Sequence, residues 1–168
     1  GSTANATNIS TFVATNSTSN SGTANLTAGS SGSTITMTNS SAGAYTLTGG
    51  TGVDNLTGGL ANDTIIGGDS GDNLSGGGGD DDLTSGLGAD TLTGGSNNDT
   101  FRSSGGTNLI TDLTTGDVLI VSAGSVANAT NISTFVATSS TSNLGTANLT
   151  AGSSGSTITM TNSSAGAY

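Results

Sequence analysis

The chain contains no proline, cysteine, histidine, tryptophan, lysine or glutamate, and arginine occurs once, at Arg102. The lack of cysteine excludes disulfides, thiolate metal sites and cysteine nucleophiles. Without histidine, cysteine, lysine or glutamate, no pair of a nucleophile and its base can be proposed. The sequence therefore does not predict an enzyme.

Large apolar side chains are also scarce. Leucine, isoleucine, valine and phenylalanine make up 30 of the 168 residues, and the net charge is −10. Low aliphatic content with a large net charge is typical of disordered chains. No apolar run approaches the roughly 18 residues that span a bilayer. We therefore expect no membrane span and a chain that needs more than its apolar core to fold.

The acidic residues are concentrated in one region. All 11 are aspartate, nine of them between Asp54 and Asp99, and the other two are Asp112 and Asp117. A solubilising surface would spread its charges and mix both signs. Nucleic acid is not expected as a partner, because phosphate contacts need Lys and Arg. The pattern instead predicts a specific cation.

The first 45 residues are repeated near the end of the sequence. Residues 1–45 recur as residues 124–168, with three differences: Thr3/Val126, Asn16/Ser139 and Ser21/Leu144. Such self-similarity is typical of tandem arrays. We interpret the chain as one repeat of a longer array plus part of the next. The alternative is a protein with two matching end domains.

Short segments within these repeats have the pattern of β-strands. They are residues 9–13, 23–28, 33–38 and 45–48, separated by clusters of Asn, Ser and Gly. Small polar and apolar residues alternate in the third segment, so Ile35 and Met37 should face the same side. No segment has a helical apolar face. The sequence predicts an all-β protein.

The central region, residues 49–102, divides into six consecutive nonapeptides, which begin at Gly49, Gly58, Gly67, Gly76, Ser85 and Gly94. The sixth position is always aspartate: Asp54, Asp63, Asp72, Asp81, Asp90 and Asp99. The eighth is always apolar: Leu56, Ile65, Leu74, Leu83, Leu92 and Phe101. Six copies without a break in register make this a specific signal.

Each position of the nonapeptide has a physical role. Glycines adopt positive φ without steric cost, which allows a tight turn with exposed carbonyl groups. Calcium prefers six to eight oxygen ligands, which carboxylates and backbone carbonyls supply. The apolar residue lies in a short strand and points inward. Nine residues make one turn and one strand, so 18 make a coil, and an ion can lie between turns two nonapeptides apart.

These nonapeptides resemble the repeats of the RTX (repeats-in-toxin) family, whose consensus is GGxGxDxUx. The resemblance covers 54 of the 168 residues. It implies a right-handed parallel β-roll with Ca²⁺ along both edges, one edge using Asp54, Asp72 and Asp90 and the other Asp63, Asp81 and Asp99. It implies about four complete sites. The glycines expected to contribute carbonyl ligands are Gly50, Gly52, Gly59, Gly68, Gly77, Gly79, Gly86, Gly88 and Gly95.

Several residues depart from this consensus. Ala61, Ser70 and Asn97 replace the second-pair glycine and Ser85 replaces a first glycine. Since these residues adopt the required backbone angles less readily, we expect weaker sites there.

Other charged residues lie outside the ligand position. Asp69, Asp80 and Asp82 are outer-shell or solvated groups in this interpretation. Arg102 either pairs with a nearby aspartate or is solvated, and the solvated state is the one expected.

Stacked aspartates repel each other by about 1 kcal/mol per pair in water-like surroundings. With few apolar residues to offset the ordering entropy of the backbone, the roll should not persist without metal. Metal binding would then be coupled to folding.

The predicted fold is a parallel β-roll (β-solenoid) with calcium-binding turns, flanked by β segments rich in Thr, Ser and Asn. We divide it into residues 1–48 (first β segment), 49–102 (calcium roll), 103–123 (capping strands) and 124–168 (second β segment). The apolar run at residues 118–121 is expected to cover the open end of the roll.

The leading functional hypothesis is a calcium-stabilised structural repeat of a large secreted bacterial protein, in a surface layer, adhesin stalk or matrix filament. The uncharged flanking strands lack the Lys and Pro that normally block edge-to-edge pairing, so identical copies are the expected partners. Cell-surface polysaccharide is a further candidate partner. The expected location is extracellular or on the bacterial cell surface, after export by a type I-like route.

Two alternatives stay open. By resemblance, such repeats act as secretion modules that fold on export beside a toxin or enzyme domain. The third hypothesis is ice binding by a flat row of threonines. That row, Thr57, Thr84 and Thr93, is broken by Ile66, Ser75 and Arg102.

Overall fold

The computed structural model describes residues 3–14, 22–38, 43–153 and 155–160, and in these ranges all regular structure is β. The described residues contain no helix that could cross a bilayer. The strands are β1 (Thr3–Ile9), β2 (Thr11–Val13), β3 (Thr23–Ala28), β4 (Thr34–Thr36), β5 (Tyr45–Thr48), β6 (Asn55–Thr57), β7 (Thr64–Gly68), β8 (Asn73–Gly78), β9 (Asp82–Gly86), β10 (Thr91–Ser96), β11 (Thr100–Ser103), β12 (Thr107–Ile110), β13 (Val118–Val121), β14 (Val126–Ile132), β15 (Thr134–Val136), β16 (Ser142–Asn143), β17 (Thr146–Ala151) and β18 (Thr157–Thr159).

The described strands form two eight-stranded parallel sheets that wind as a β-solenoid, and β15 and β18 pair in a separate two-stranded sheet. The first sheet has the order β1-β3-β5-β7-β9-β11-β13-β16, and the second has β17-β14-β12-β10-β8-β6-β4-β2. Consecutive strands alternate between the sheets as far as β14, so two strands and two turns complete one coil. Thr46 pairs with Thr64, and Thr64 pairs with Asp82. This spacing confirms the predicted 18-residue coil and the parallel roll.

The core consists of columns of single apolar side chains. All six eighth-position residues of the nonapeptides are completely buried. Leu74 pairs in register with Leu56 on one side and Leu92 on the other, and the other sheet stacks Ile65, Leu83 and Phe101 in the same way. The narrow core explains why so few aliphatic residues suffice, since each 18-residue coil of the roll contributes two of these buried apolar side chains, one to each sheet.

The segments before the roll belong to the same two sheets. The predicted strands 23–28 and 45–48 have the bounds of β3 and β5, and Ile35 and Met37 are both buried as predicted. The predicted strand 9–13 is divided by a bend at Ser10. Coils here are longer than in the roll, because Thr3 pairs with Thr23 and Thr34 with Asn55. The solenoid is therefore continuous from the first flank into the roll.

The expected role of residues 118–121 as a cover for the open end was wrong. β13 pairs with β11 on one side and β16 on the other, and β12 lies between β10 and β14. Further coils therefore stack on these strands, which their alternating buried residues Leu119 and Val121 support from inside. The division into four segments stays a prediction.

Leu83→Ala is expected to lower the free energy of unfolding by about 2–5 kcal/mol, because it leaves a cavity in a column that has no side chain to replace it. Leu87→Ala is the matched control, since Leu87 lies in the next turn with 60% of its surface exposed, and it should change stability by about 0.5 kcal/mol or less. Denaturant unfolding in saturating calcium measures both. Equal losses for the two variants would contradict the buried column.

Candidate metal centre

Six of the seven buried charged groups among the described residues are the aspartates of the nonapeptides. All six are at most 3% exposed. They alternate between the two edges of the roll, because consecutive turns lie on opposite sides. The first edge carries Asp54, Asp72 and Asp90, and the second edge carries Asp63, Asp81 and Asp99. The arrangement places a row of carboxylates inside each edge.

A ladder of hydrogen bonds holds one oxygen of each carboxylate. On the second edge, the backbone amide of Asp63 donates to Asp81 Oδ1 at 2.7 Å, and that of Asp81 donates to Asp99 Oδ1 at 2.9 Å. The first edge repeats this pattern from Asp54 to Asp72 and from Asp72 to Asp90. The turn two nonapeptides earlier thereby orients the side chains of Asp72, Asp81, Asp90 and Asp99.

Several of the other carboxylate oxygens have no hydrogen-bond partner. Oδ2 of Asp72, Asp81 and Asp90 and Oδ1 of Asp54 are buried without one. A buried, ionised oxygen without a partner is costly, since it loses its hydration without compensation. These orphaned oxygens fit a positively charged ligand.

Backbone carbonyls converge on the same places. A Cβ built on Gly76 would collide with Asp81 Oδ2 and lie beside the carbonyl oxygen of Gly94, two turns ahead. Gly58 is in the same relation to Asp63 Oδ2 and the carbonyl of Gly76. The first glycine of the nonapeptide is therefore needed because oxygens of two stacked turns meet there. The sequence analysis did not predict these first-position carbonyls, although glycine occupies the first position in five of the six nonapeptides.

The glycine carbonyls predicted as ligands are partly engaged within the backbone. The carbonyl of Gly50 accepts a hydrogen bond from the amide of Asp69, and that of Gly68 accepts one from Leu87. A carbonyl has two lone pairs, so this does not prevent ligation. The assignment of individual carbonyl ligands stays a prediction.

Two of the consensus departures carry backbone strain. Ser70 and Asn97 replace glycine and have φ angles of 78° and 82°. Non-glycine residues occupy this left-handed region at a steric cost. Ala61 is not among the described residues with positive φ. The backbone angles of Ser70 and Asn97 thus agree with the expectation of less favourable turns at these two positions.

Burial raises the pKa of five of the six carboxyl groups in the two rows. The pKa of Asp81 rises to about 7, through desolvation first and then through the charges of Asp63, Asp99 and Asp80. Desolvation also raises the pKa of Asp90 and of Asp99 to about 6. The pKa values of Asp63 and Asp72 are raised for the same main reason. The pKa of Asp81 therefore lies near neutral pH and those of Asp90 and Asp99 lie just below it, so that mild acidification protonates the rows.

The protein's single basic side chain does not neutralise these rows. Arg102 Nε and one terminal nitrogen donate to Asp82 Oδ1 and Oδ2 at 2.7 and 3.0 Å, on the outer face of the first sheet. The expectation that Arg102 is solvated was wrong, because its planar fork matches the carboxylate of a strand neighbour. Both side chains are 41% exposed, so the pair contributes little stability. The buried rows need another source of positive charge.

The register continues beyond the six nonapeptides, which the sequence analysis did not recognise. Asn108 and Asp117 lie nine and eighteen residues after Asp99, and they accept hydrogen bonds from the amides of Asp90 and Asp99. Apolar residues two places further on, Ile110 and Leu119, are buried like those of the roll. Continued counting in nines would have found them, although the glycines that mark each earlier turn are lost.

Hydrogen bonds between protein groups close both rows at this end. Asn108 Nδ2 donates to Ser85 Oγ and Ser103 Oγ, at the place where a first-position glycine stands in earlier turns. Both oxygens of Asp117 accept hydrogen bonds, Oδ2 from the amide and hydroxyl of Thr114. A donor amide repels a cation. Among the described residues, the carboxylate oxygens that are buried without a partner are therefore confined to the six nonapeptides.

The donor set fits a hard divalent cation. Carboxylate and carbonyl oxygens are the ligands that Ca²⁺ prefers. The described residues contain no group of three or more acidic, His or Cys side chains around one point, because each turn contributes one carboxylate and the remaining oxygens belong to the backbone. Bound between stacked turns, Ca²⁺ would supply the positive charge that cancels the repulsion within each row.

The raised pKa values predict how the metal-free protein responds to pH. A carboxyl with a folded pKa above its unfolded value of about 3.9 stabilises the fold below that value, and the stability is lost as pH rises through the folded pKa. For Asp81, Asp90 and Asp99 this loss falls between about pH 6 and 7. Chelated protein should therefore show more β structure by circular dichroism at about pH 5 than at about pH 8. The same β content at both would contradict it.

A comparison with protein families agrees with the geometry. Residues 48–83 and 75–110 each match the model of the RTX calcium-binding nonapeptide repeat (4 copies). No curated protein and no solved structure matches the chain. The repeats of this family bind Ca²⁺, and the matched region contains all six aspartates with their converging carbonyls. Residues 48–110 are therefore a block of RTX calcium-binding nonapeptide repeats.

Proposed function

We propose that this protein is a calcium-stabilised structural repeat of a large secreted bacterial protein, which associates with identical copies in a surface layer, adhesin stalk or matrix filament. The observation that carries the proposal is the pair of buried carboxylate rows with orphaned oxygens, in a chain that repeats its own first 45 residues. The rows make the fold dependent on calcium. The duplication supports a building unit rather than a single binding domain.

Calcium binding in this proposal completes the fold. About four sites lie between stacked turns, two on each edge: between the turns of Asp54 and Asp72, Asp72 and Asp90, Asp63 and Asp81, and Asp81 and Asp99. The folded chain would hold these carboxylates ready through their hydrogen-bond ladders, while the unfolded chain binds weakly. Binding free energy then becomes folding free energy.

Asp81→Asn tests the carboxylate rows. The amide oxygen can still accept the hydrogen bond from Asp63, but the charge is lost and the site keeps fewer ionised ligands. The calcium concentration at the folding midpoint should rise by about tenfold or more, as for changes next to metal sites. Calcium titration followed by circular dichroism measures it.

Asp80→Asn is the matched control for this variant. Asp80 is the adjacent residue, is exposed, and belongs to an outer ladder with Asn62 and Asn98 that an amide can maintain. Its calcium midpoint should stay near that of the unchanged protein. If both variants shifted equally, net charge rather than ligand position would govern folding, and the assignment of the rows would fail.

The proposed self-association is supported by unprotected strand edges. β1 ends the first sheet and β2 and β17 end the second. Their sequences carry no charged residue, so nothing opposes pairing with another strand. Identical copies present the same edges at a fixed geometry. End-to-end or lateral association between copies follows from this proposal.

Calcium-loaded protein should therefore form oligomers as its concentration rises, measured by sedimentation velocity or light scattering. Asn5→Lys, which places a charge on edge strand β1, should weaken association. Asn128→Lys is its control, because Asn128 is the equivalent residue in β14, which is paired on both sides. A monomer at all concentrations would contradict self-association.

An extracellular or cell-surface location and export by a type I-like route are part of the same proposal. A chain that folds only with calcium would stay unfolded where calcium is scarce and fold after export. A secretion module beside an enzyme domain would share this property, and a catalytic domain in the same protein would favour that alternative. The absence of catalytic function in this chain stays a prediction, as does binding of cell-surface polysaccharide.

A further inference from the structure

The two sequence copies adopt the same local structure. β1, β2, β3 and β4 of the first copy correspond to β14, β15, β17 and β18 of the second. The copies share a bulge with a left-handed asparagine, Asn8 at φ 56° and Asn131 at φ 59°. Thr3 pairs with Thr23, and Val126 pairs with Thr146 at the same spacing. The copies therefore provide a comparison of one sequence in two environments.

The environments differ sharply at the first two strands. Phe135 is completely buried, whereas the equivalent Phe12 is 37% exposed. Ala127 and Ala129 are buried in β14, whereas every residue of β1 up to Asn8 is exposed. Ala14 and Ala137 are both buried, so the difference ends just after β2. An apolar surface that the sequence covers in one copy is open in the other.

In the second copy, β12 and β13 cover the apolar surface that is open in the first copy. β12 pairs with β14 in register, Thr107 with Val126 and Ile110 with Ala129, and the Val126 amide donates to the Gly106 carbonyl at 2.8 Å. β13 adds Leu119 and Val121 to the core that these residues share. Among the described residues, β1 pairs only with β3. The coil of residues 107–121 is thus what the second copy has and the first copy lacks.

We propose that the open end formed by β1 and β2 is an interface for the coil equivalent to residues 107–121 of another copy of this repeat, so that joined copies form one uninterrupted solenoid. The fit is shown within the chain itself, where that coil covers a nearly identical sequence. Two of the three differences between copies, at residues 16 and 21, lie outside β1 and β2. This inference rests on the proposed structural-repeat role but does not depend on calcium.

The same junction determines how consecutive copies are oriented. β1 lies in the first sheet, and its equivalent β14 lies in the second. The paired side chains Asn5–Asn25 and Asn128–Asn148 therefore lie on different sheets. In an uninterrupted solenoid, equivalent surfaces of consecutive copies alternate between the two sheets. Any lateral contact made by one copy is then repeated on the opposite side by the next.

The test joins a further copy of residues 1–123 directly in front of residue 1 of the full chain. Hydrogen exchange, read by mass spectrometry in saturating calcium, compares β1 of the original chain before and after the addition. Amides of β1 should exchange more than about tenfold more slowly in the joined protein, because they gain a strand neighbour. Amides of β7–β11 serve as the internal reference for a folded roll.

Phenylalanine variants provide the second readout. In the original chain, Phe135→Ala should lower the thermal midpoint clearly more than Phe12→Ala. In the joined protein, the same substitution at Phe12 of the original chain, which then follows the added copy, should become as damaging as Phe135→Ala.

The inference is overturned if β1 stays unprotected in a joined protein whose roll is protected, or if Phe12→Ala stays mild there. A roll that is protected equally with and without calcium would instead contradict the proposed function and leave the interface intact.

Discussion

The structure depends on carboxylates that are buried without a counter-charge. Each turn of the roll presents one aspartate to the interior of an edge, and a hydrogen-bond ladder fixes its direction. Four of these side chains keep an oxygen with no protein partner. The core beneath them is one side chain wide per sheet, so apolar burial offers little to offset their repulsion. A cation bound between the turns would cancel this repulsion, which is why we propose that calcium binding is coupled to folding.

The coil also explains which residues are needed where. Oxygens of two stacked turns meet at the first glycine of a nonapeptide, leaving no room for a Cβ. Where that glycine is replaced by Ser85, the turn two nonapeptides ahead carries Asn108 instead of aspartate, and the two side chains hydrogen-bond. The loss of the glycine and the loss of the charge are therefore compensating changes. They end the carboxylate row on the first edge while the solenoid continues.

Continuity of the solenoid gives the flanks their significance. They carry no charge and no metal register, yet most of their strands extend the same two sheets on both sides of the roll, while β15 and β18 form a small sheet of their own. Longer coils there place more residues in turns, and the strand cores use alanine as well as larger side chains. The roll is thus a calcium-binding section within a longer β structure, and the chain's near-identical ends show one sequence both at an open end and inside the stack.

A nine-residue period with glycine, aspartate and an apolar residue at fixed positions leaves one economical way to stack, so the 18-residue coil and the buried column followed from spacing. The two aspartate edges were implied by the resemblance to RTX repeats, and so was the capping role given to residues 103–123. Spacing could not show which carbonyls converge on each carboxylate, since that depends on how turns two nonapeptides apart are stacked.

Strand pairing in the folded chain, rather than spacing, shows that Asn108 and Asp117 continue the register. It also shows that Arg102 binds Asp82 across neighbouring strands, and that Phe12 and Phe135 have opposite environments. Such contacts arise between residues about one coil apart, where pairing across strands, not local sequence, decides what each side chain meets.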